Sequence, residues 1–231
     1  MNHQKSFNLY LSGGGDEKQS FSLDKFFFED IDNKARLLYI PVALRGHKLY
    51  SEAGVWMKSV LDLHNRMDIE FELWDDLSDK NYSDLEEFNA IYIGGGNTWN
   101  LIKEIREKNF GLILKKYLES GGLIYGGSAG AVILGNRIDA QDDKNEPALL
   151  DNIGLNILGK YSVATHYKAE FKEKYLAWVS KENQPLLCLP EETGFAYDGH
   201  VFFCIGTKPA LAIEASHLMN EIFPGISYIK K

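Results

Sequence analysis

The feature that most restricts this chain is an alternation of short apolar runs with amphipathic stretches through its first two thirds. Residues 7–11, 37–42, 69–74, 90–93 and 123–125 are apolar runs rich in β-branched and aromatic side chains, which predicts strands rather than buried helices. Between them, Val55, Ser59, Leu63 and Met67 recur four apart within residues 50–67, with Trp56, Val60 and Leu61 beside them. Residues 98–108 and 112–119 repeat the helical spacing. Strand, helix and strand in succession predict an α/β fold, a three-layer sandwich with a mostly parallel central sheet whose ligands sit at the carboxyl ends of the strands.

The last third changes character. Residues 194–197 and 201–205 are closely spaced runs joined by Asp198-Gly199, a strong hairpin signal, and residues 185–189 form another run just before them. An antiparallel C-terminal hairpin is therefore expected to extend the sheet. No Pro/Ser-rich linker and no internal repeat interrupts the chain, and 231 residues at roughly 150 per domain favour one domain over residues 1–231.

Charge narrows the partners. Lys and Arg number 25 against 33 Asp and Glu, a formal charge of −8 that repels a phosphate backbone, so nucleic acid is not expected. Residues 1–15 hold one lysine and no apolar run of signal-peptide length, and no segment approaches the roughly 20 apolar residues of a membrane span. A cytoplasmic protein is expected. Cys188 and Cys204 lie in apolar stretches without zinc spacing and read as buried reduced thiols. The acidic run of Asp75, Asp76, Asp79, Asp84, Glu86 and Glu87 lacks calcium-loop spacing and reads as a solvated face.

The sharpest local pattern is Gly126-Gly127-Ser128-Ala129-Gly130-Ala131, between one apolar run and Val132-Ile133-Leu134. A strand, a tight turn with serine at its apex and a small-residue helix start expose a hydroxyl above the sheet, and close backbone packing there needs small neighbours. Ser128 is the candidate nucleophile; the competing reading is a βα turn that only packs tightly or binds an anion. Gly94-Gly95-Gly96 also ends a strand and opens a helix, so its N–H groups could face a developing negative charge. Neither GxGxxG nor a P-loop lysine is present, and Asn97 reads as a helix cap.

A serine needs a base, and His166 lies just beyond the apolar run at residues 161–164, at a strand terminus. His3, His47, His64, His200 and His217 read as solvent-facing or structural. A carboxylate should orient the imidazole, and Asp139, Asp142, Asp143, Glu146 and Asp151 all stand between Ser128 and His166 without a pattern that chooses among them.

The order of the two glycine turns, Ser128, a downstream aspartate and His166, with Leu38-Tyr39-Ile40-Pro41 and Leu189-Pro190-Glu191, resembles the peptidase E family of serine aspartyl dipeptidases and, more distantly, cyanophycinase. The resemblance implies a class I glutamine-amidotransferase-like fold with serine in place of the usual cysteine. It implies Ser128 as nucleophile, His166 as base and Asp143 as acid, with Asp142 next to it, and the N–H groups of Gly96 and Ala129 as oxyanion donors. It also implies a small peptide substrate with an N-terminal aspartate and no metal or cofactor. A family arginine that grips the aspartate would fall near Lys172, a point charge rather than a bidentate fork, which relaxes the expectation of strict aspartate specificity. Glu191 and Glu192 would bind a substrate amine or serve as the alternative acid of cyanophycinase-like relatives. Two rival readings remain at this level: another serine acyl hydrolase, acting on a β-aspartyl peptide or an ester, and a non-catalytic small-anion binding module. An α/β-hydrolase esterase shares the elbow but has a longer βα repetition after its serine. Oligomeric state leaves no mark in the sequence.

Overall fold

The computed structural model describes residues 7–229, so the expectation for His3 lies outside them. Strands β1 (Leu9–Ser12), β2 (Arg36–Ile40), β3 (Glu70–Leu73), β4 (Ala90–Ile93) and β5 (Leu123–Gly127) run parallel in the order β1-β5-β4-β2-β3. Their connections carry helices α1 (Phe21–Glu29), α2 (Ala53–Leu63), α3 (Tyr82–Leu85), α4 (Thr98–Glu107) and α5 (Phe110–Glu119). After β5 come α6 (Ala129–Leu134), β6 (Ser162–Ala164), α7 (Lys172–Glu182), β7 (Leu186–Cys188), β8 (Thr193–Tyr197), β9 (Val201–Gly206), β10 (Ala210–Ile213), β11 (Met219–Ile222) and β12 (Ser227–Ile229).

Period two explains the three layers. Leu38, Ile40, Ile91, Ile93 and Ile124 point to one face of the parallel sheet, where they are buried with Leu101, Ile102 and Ile105 of α4. Tyr39, Tyr92 and Tyr125 point to the other, with Phe27 of α1 and Met57 and Val60 of α2. Each such aliphatic side chain contributes about 1.5–3 kcal/mol on full burial. Tyr92 and Tyr125 stack with their ring centroids 4.2 Å apart.

The Asp198-Gly199 hairpin is present: β8 and β9 pair antiparallel, β8 also pairs antiparallel with β1, and β12 completes an eight-stranded sheet. The run at 185–189 behaves differently from the expectation. Its strand β7 joins a separate four-stranded sheet, β11-β10-β7-β6, in which β6 and β7 are parallel. Strands of three residues carry too little pattern to declare their partners.

Element bounds differ in places, and one helix is new. Strand β2 stops at Ile40 because Pro41 has no N–H for the ladder, and Val42–Leu44 turn into a 3₁₀ helix. Helix α2 is shorter than residues 50–67, and its buried residues are Ala53, Met57, Val60 and Leu61 while Val55, Leu63 and Met67 are exposed. Helix α1 was not evident at all, because its apolar face is broken by Asp24, which is fully buried. Cys188 and Cys204 are buried free thiols.

Candidate active site

Three glycine turns meet at one end of the parallel sheet. Ser12 of β1 lies opposite Gly127 of β5, and Ile93 of β4 lies opposite Gly126, so Gly13-Gly14-Gly15, Gly94-Gly95-Gly96 and Ser128 all leave neighbouring strand ends. The first of these turns was missed by sequence reasoning, although Ser12-Gly13-Gly14-Gly15 repeats the signature of residues 93–96. Ser128 sits at φ 49° and ψ −109°, a backbone geometry that costs of order 1–3 kcal/mol and persists only where its surroundings impose it. Those surroundings are tight. A Cβ on Gly126 would stand 2.7 Å from the backbone of Gly130 and Ala131, and one on Gly95 3.1 Å from the Ser128 Cβ. The Ser128 N–H donates to the Ser12 carbonyl at 3.2 Å, and its own carbonyl accepts from the N–H groups of Ala131 and Val132.

His166 and Glu191 arrive from the smaller sheet. Because β6 and β7 are parallel with Ala164 opposite Cys188, the residues just past both strands emerge side by side. His166, at φ 54°, donates its backbone N–H to the Gly13 carbonyl at 2.9 Å, which ties the two sheets together. A Cβ on Gly13 would fall 1.9 Å from the Pro190 carbonyl oxygen, and one on Gly14 2.4 Å from Cε1 of the His166 ring. The result is a continuous chain of contacts: Ser128 Oγ to His166 Nε2 at 2.7 Å, and His166 Nδ1 to Glu191 Oε1 at 2.9 Å. Gln19 Nε2 donates to the other oxygen of Glu191 at 2.7 Å. The hydrogen bond from His166, supported by the one from Gln19, holds the Glu191 carboxyl below its ordinary range although partial burial pushes the other way. An ionised Glu191 accepts from Nδ1–H, which leaves Nε2 as acceptor for the Ser128 hydroxyl. A hydroxyl, imidazole and carboxylate in this order can deliver the serine proton to the ring while the carboxylate steadies the resulting imidazolium.

Asp143, expected beside His166, is placed elsewhere. Its carboxylate accepts from the Thr98 N–H at 2.9 Å and from the Thr98 hydroxyl, so it serves the start of α4, where four backbone donors need partners. Asn97 caps the same helix, accepting from the Asn100 N–H at 2.9 Å. Asp142 pairs with Lys174, Asp139 with Arg137 and Asp151 with Arg106. Glu191 was legible only as one of two alternatives, since the β6–β7 pairing that brings it to the ring is invisible locally; Glu192 instead pairs with Lys208 at 2.7 Å. Gly96, at φ 136°, would with a Cβ run into the Ala43 carbonyl, and the N–H groups of Gly95 and Gly96 donate to no group among the described residues. Ala129 follows Ser128 as the first residue of α6.

A cavity of about 570 Å³ opens beside Ser128 and His166, bounded by the turns at Gly14, Gly15, Gly95 and Gly96 and by the beginning of α2. Gln141, whose side chain is bonded to Thr165 next to His166, forms part of its wall. Lys172, expected to meet substrate, opens α7 and does not line this cavity, nor does Glu191; none of the lining residues is Lys or Arg. Among the described residues no cluster of His, Cys, Asp and Glu is placed to hold a metal ion, and no helix is long and apolar enough to cross a membrane.

A sequence profile of peptidase family S51 matches residues 9–205. The chain belongs to this family. The matched S51 region runs from β1 into β9 and so contains all three glycine turns, His166 and Glu191. Two relatives are similar in sequence: a Drosophila melanogaster protein named a probable alpha-aspartyl dipeptidase is 26% identical over 207 residues, covering 83% of this chain and 81% of its own. An uncharacterised peptidase of Listeria monocytogenes is 30% identical over 173 residues, covering 72% and 81%. The crystal structure of a peptidase from an acI-B1 Actinobacterium superposes with a TM-score of 0.72 over the full length of both chains at 17% identity, which establishes that the S51 chain shares its fold.

Proposed function

We propose that this S51 chain is a serine exopeptidase that hydrolyses short peptides through an acyl-enzyme on Ser128. The observation that carries this reading is the hydrogen-bonded series Ser128 Oγ, His166 and Glu191, at 2.7 and 2.9 Å. His166 Nε2 takes the hydroxyl proton as Oγ attacks the scissile carbonyl, and Glu191 stabilises the imidazolium. The N–H groups of Gly96 and Ala129 receive the tetrahedral oxyanion, each donor lowering the barrier by about 3–4 kcal/mol. The imidazolium then protonates the leaving amine, and water activated by the same ring releases the acyl group. A role for Asp143 in this series has no geometric support, and Glu191 takes the place expected for it.

The resemblance and the name of the fly relative point to peptides with an N-terminal aspartate. Hydrolysis of Asp-Leu, Glu-Leu, Asn-Leu and Leu-Leu by the wild type beside Ser128→Ala tests the reading. Turnover of at least one dipeptide that disappears in Ser128→Ala is the expected result; turnover retained at the wild-type rate by Ser128→Ala would remove the acyl-enzyme from consideration.

A further inference from the structure

Beneath the three glycine turns the sheet buries a carboxylate and a set of hydroxyls that packing alone would not select. Asp24 of α1 is fully buried; its Oδ2 accepts from the Ser20 hydroxyl at 2.7 Å and its Oδ1 from the Tyr125 hydroxyl. Burying a carboxylate costs more than burying an apolar residue of the same size, so the hydrogen bonds must serve something else. The Ser12 hydroxyl is a hydrogen-bond partner of the same Tyr125 oxygen. Register explains the meeting: Ser12 lies opposite Gly127, two residues beyond Tyr125 on the same face of the sheet, and Gly127 puts no side chain between them.

Ser12 also joins the two halves of the site. Its carbonyl accepts from the Ser128 N–H at 3.2 Å, and its Oγ accepts from the Gly14 N–H at 3.2 Å. The His166 ring rests on Gly14, where a Cβ would fall 2.4 Å from ring Cε1, and the Gly13 carbonyl holds the His166 N–H. A directional series therefore runs from Asp24 through Tyr125 and Ser12 to the Gly14 N–H. Because the carboxylate takes the Tyr125 proton, the phenol oxygen is left for Ser12 and the Ser12 oxygen for Gly14. Without the carboxylate the Tyr125 O–H has no such partner and competes for the Ser12 oxygen on which the Gly14 N–H depends. On the serine-peptidase reading above, on which this inference rests, we propose that Asp24 is a positioning residue: through Tyr125 and Ser12 it holds the Gly14 turn where the His166 ring lines up with the Ser128 hydroxyl.

The test measures kcat and KM separately, on whichever of the four dipeptides the wild type cleaves best. Tyr125→Phe removes one oxygen from the middle of the series, and Asp24→Leu removes its origin at similar volume. Each should lower kcat at least tenfold with KM within twofold, since a misplaced ring slows attack and leaves the cavity unchanged. Asp24→Asn keeps an oxygen for the Tyr125 hydroxyl and can donate to Ser20, whose own hydroxyl has the Asp16 carbonyl at 3.1 Å to turn to. It should recover at least fivefold of what Asp24→Leu loses. Tyr117→Phe deletes a buried hydroxyl of the same kind, one that serves the Phe88 carbonyl, and should keep kcat. Wild-type kcat in Tyr125→Phe, or equal kcat in Asp24→Leu and Asp24→Asn, overturns the inference and leaves the Ser128 chemistry standing. Should Asp24→Leu fail to fold, Tyr125→Phe decides alone. No turnover of any dipeptide by the wild type overturns the peptidase reading and the inference with it.

Discussion

Glu191 and Asp143 are both carboxylates near the same cavity, yet their partners separate their roles. Glu191 bonds His166, so on the proposed mechanism Glu191→Gln removes the charge that would support an imidazolium; kcat should fall by about 10³–10⁴-fold with little change in the unfolding midpoint. Asp143 bonds the first turn of α4, so Asp143→Ala should cost about 1 kcal/mol of stability, read by denaturant unfolding, and a far smaller factor in kcat. Equal losses of kcat in the two variants would contradict the assignment. Ser128 and His166 were legible because each announces itself locally, one by the glycines around it and the other by the apolar run before it. Glu191 stood only as one of two alternatives, because α7 and the whole of β7 intervene between it and His166, and only the β6–β7 register brings the two together.

At the scale of elements, the contact of α1 with the end of α2 buries two opposed titrations. Burial pushes the Asp24 carboxyl up to about 6 against the hydrogen bonds from Tyr125 and Ser20. Burial, with Lys25 nearby, takes His64 down to about 4, and its Nε2 lies 4.0 Å from Asp24 Oδ2. The fold favours protonated Asp24, so that contribution is full below the ordinary value of 3.8 and is lost as the pH rises through about 6. The fold favours neutral His64, so that contribution is present above 6.5 and is lost as the pH falls through about 4. The stability of Asp24→Asn relative to wild type should therefore rise by about 2 kcal/mol between pH 4 and pH 7, while that of His64→Gln should fall over the same interval. Urea unfolding at four pH values checks both slopes, and parallel curves for variant and wild type would refute them. The same buried Asp24 is the reason α1 was hard to see: a carboxylate in the middle of an apolar stripe breaks the helical pattern, and its partners Ser20 and Tyr125 are known only once the chain is folded.

For the molecule as a whole, the parallel half was readable because each βα unit repeats one pattern, whereas the second sheet is assembled from strands whose pairing is long-range. The two halves touch where Gly13 and Gly14 pass beneath Pro190 and His166. Gly14→Ala should push the imidazole off the Ser128 hydroxyl, lowering kcat/KM by about 10²-fold, the scale of an ångström's misplacement. Its φ of 96° adds about 1–3 kcal/mol of strain to be read in the melting midpoint. A Gly14→Ala protein with wild-type kcat/KM would show that the ring has slack the packing does not suggest.

The hydrogen bond from His166 to the Gly13 carbonyl has one more consequence. The Ser128 hydroxyl is carried by one sheet and the His166 ring by the other, so their alignment belongs to neither sheet alone but to the joint between them. On the proposed mechanism, turnover is then a gauge of that joint: a slight slip would idle the enzyme while every strand is still paired. Gly13, a residue outside the cavity wall, would then matter to the proposed reaction through that joint alone.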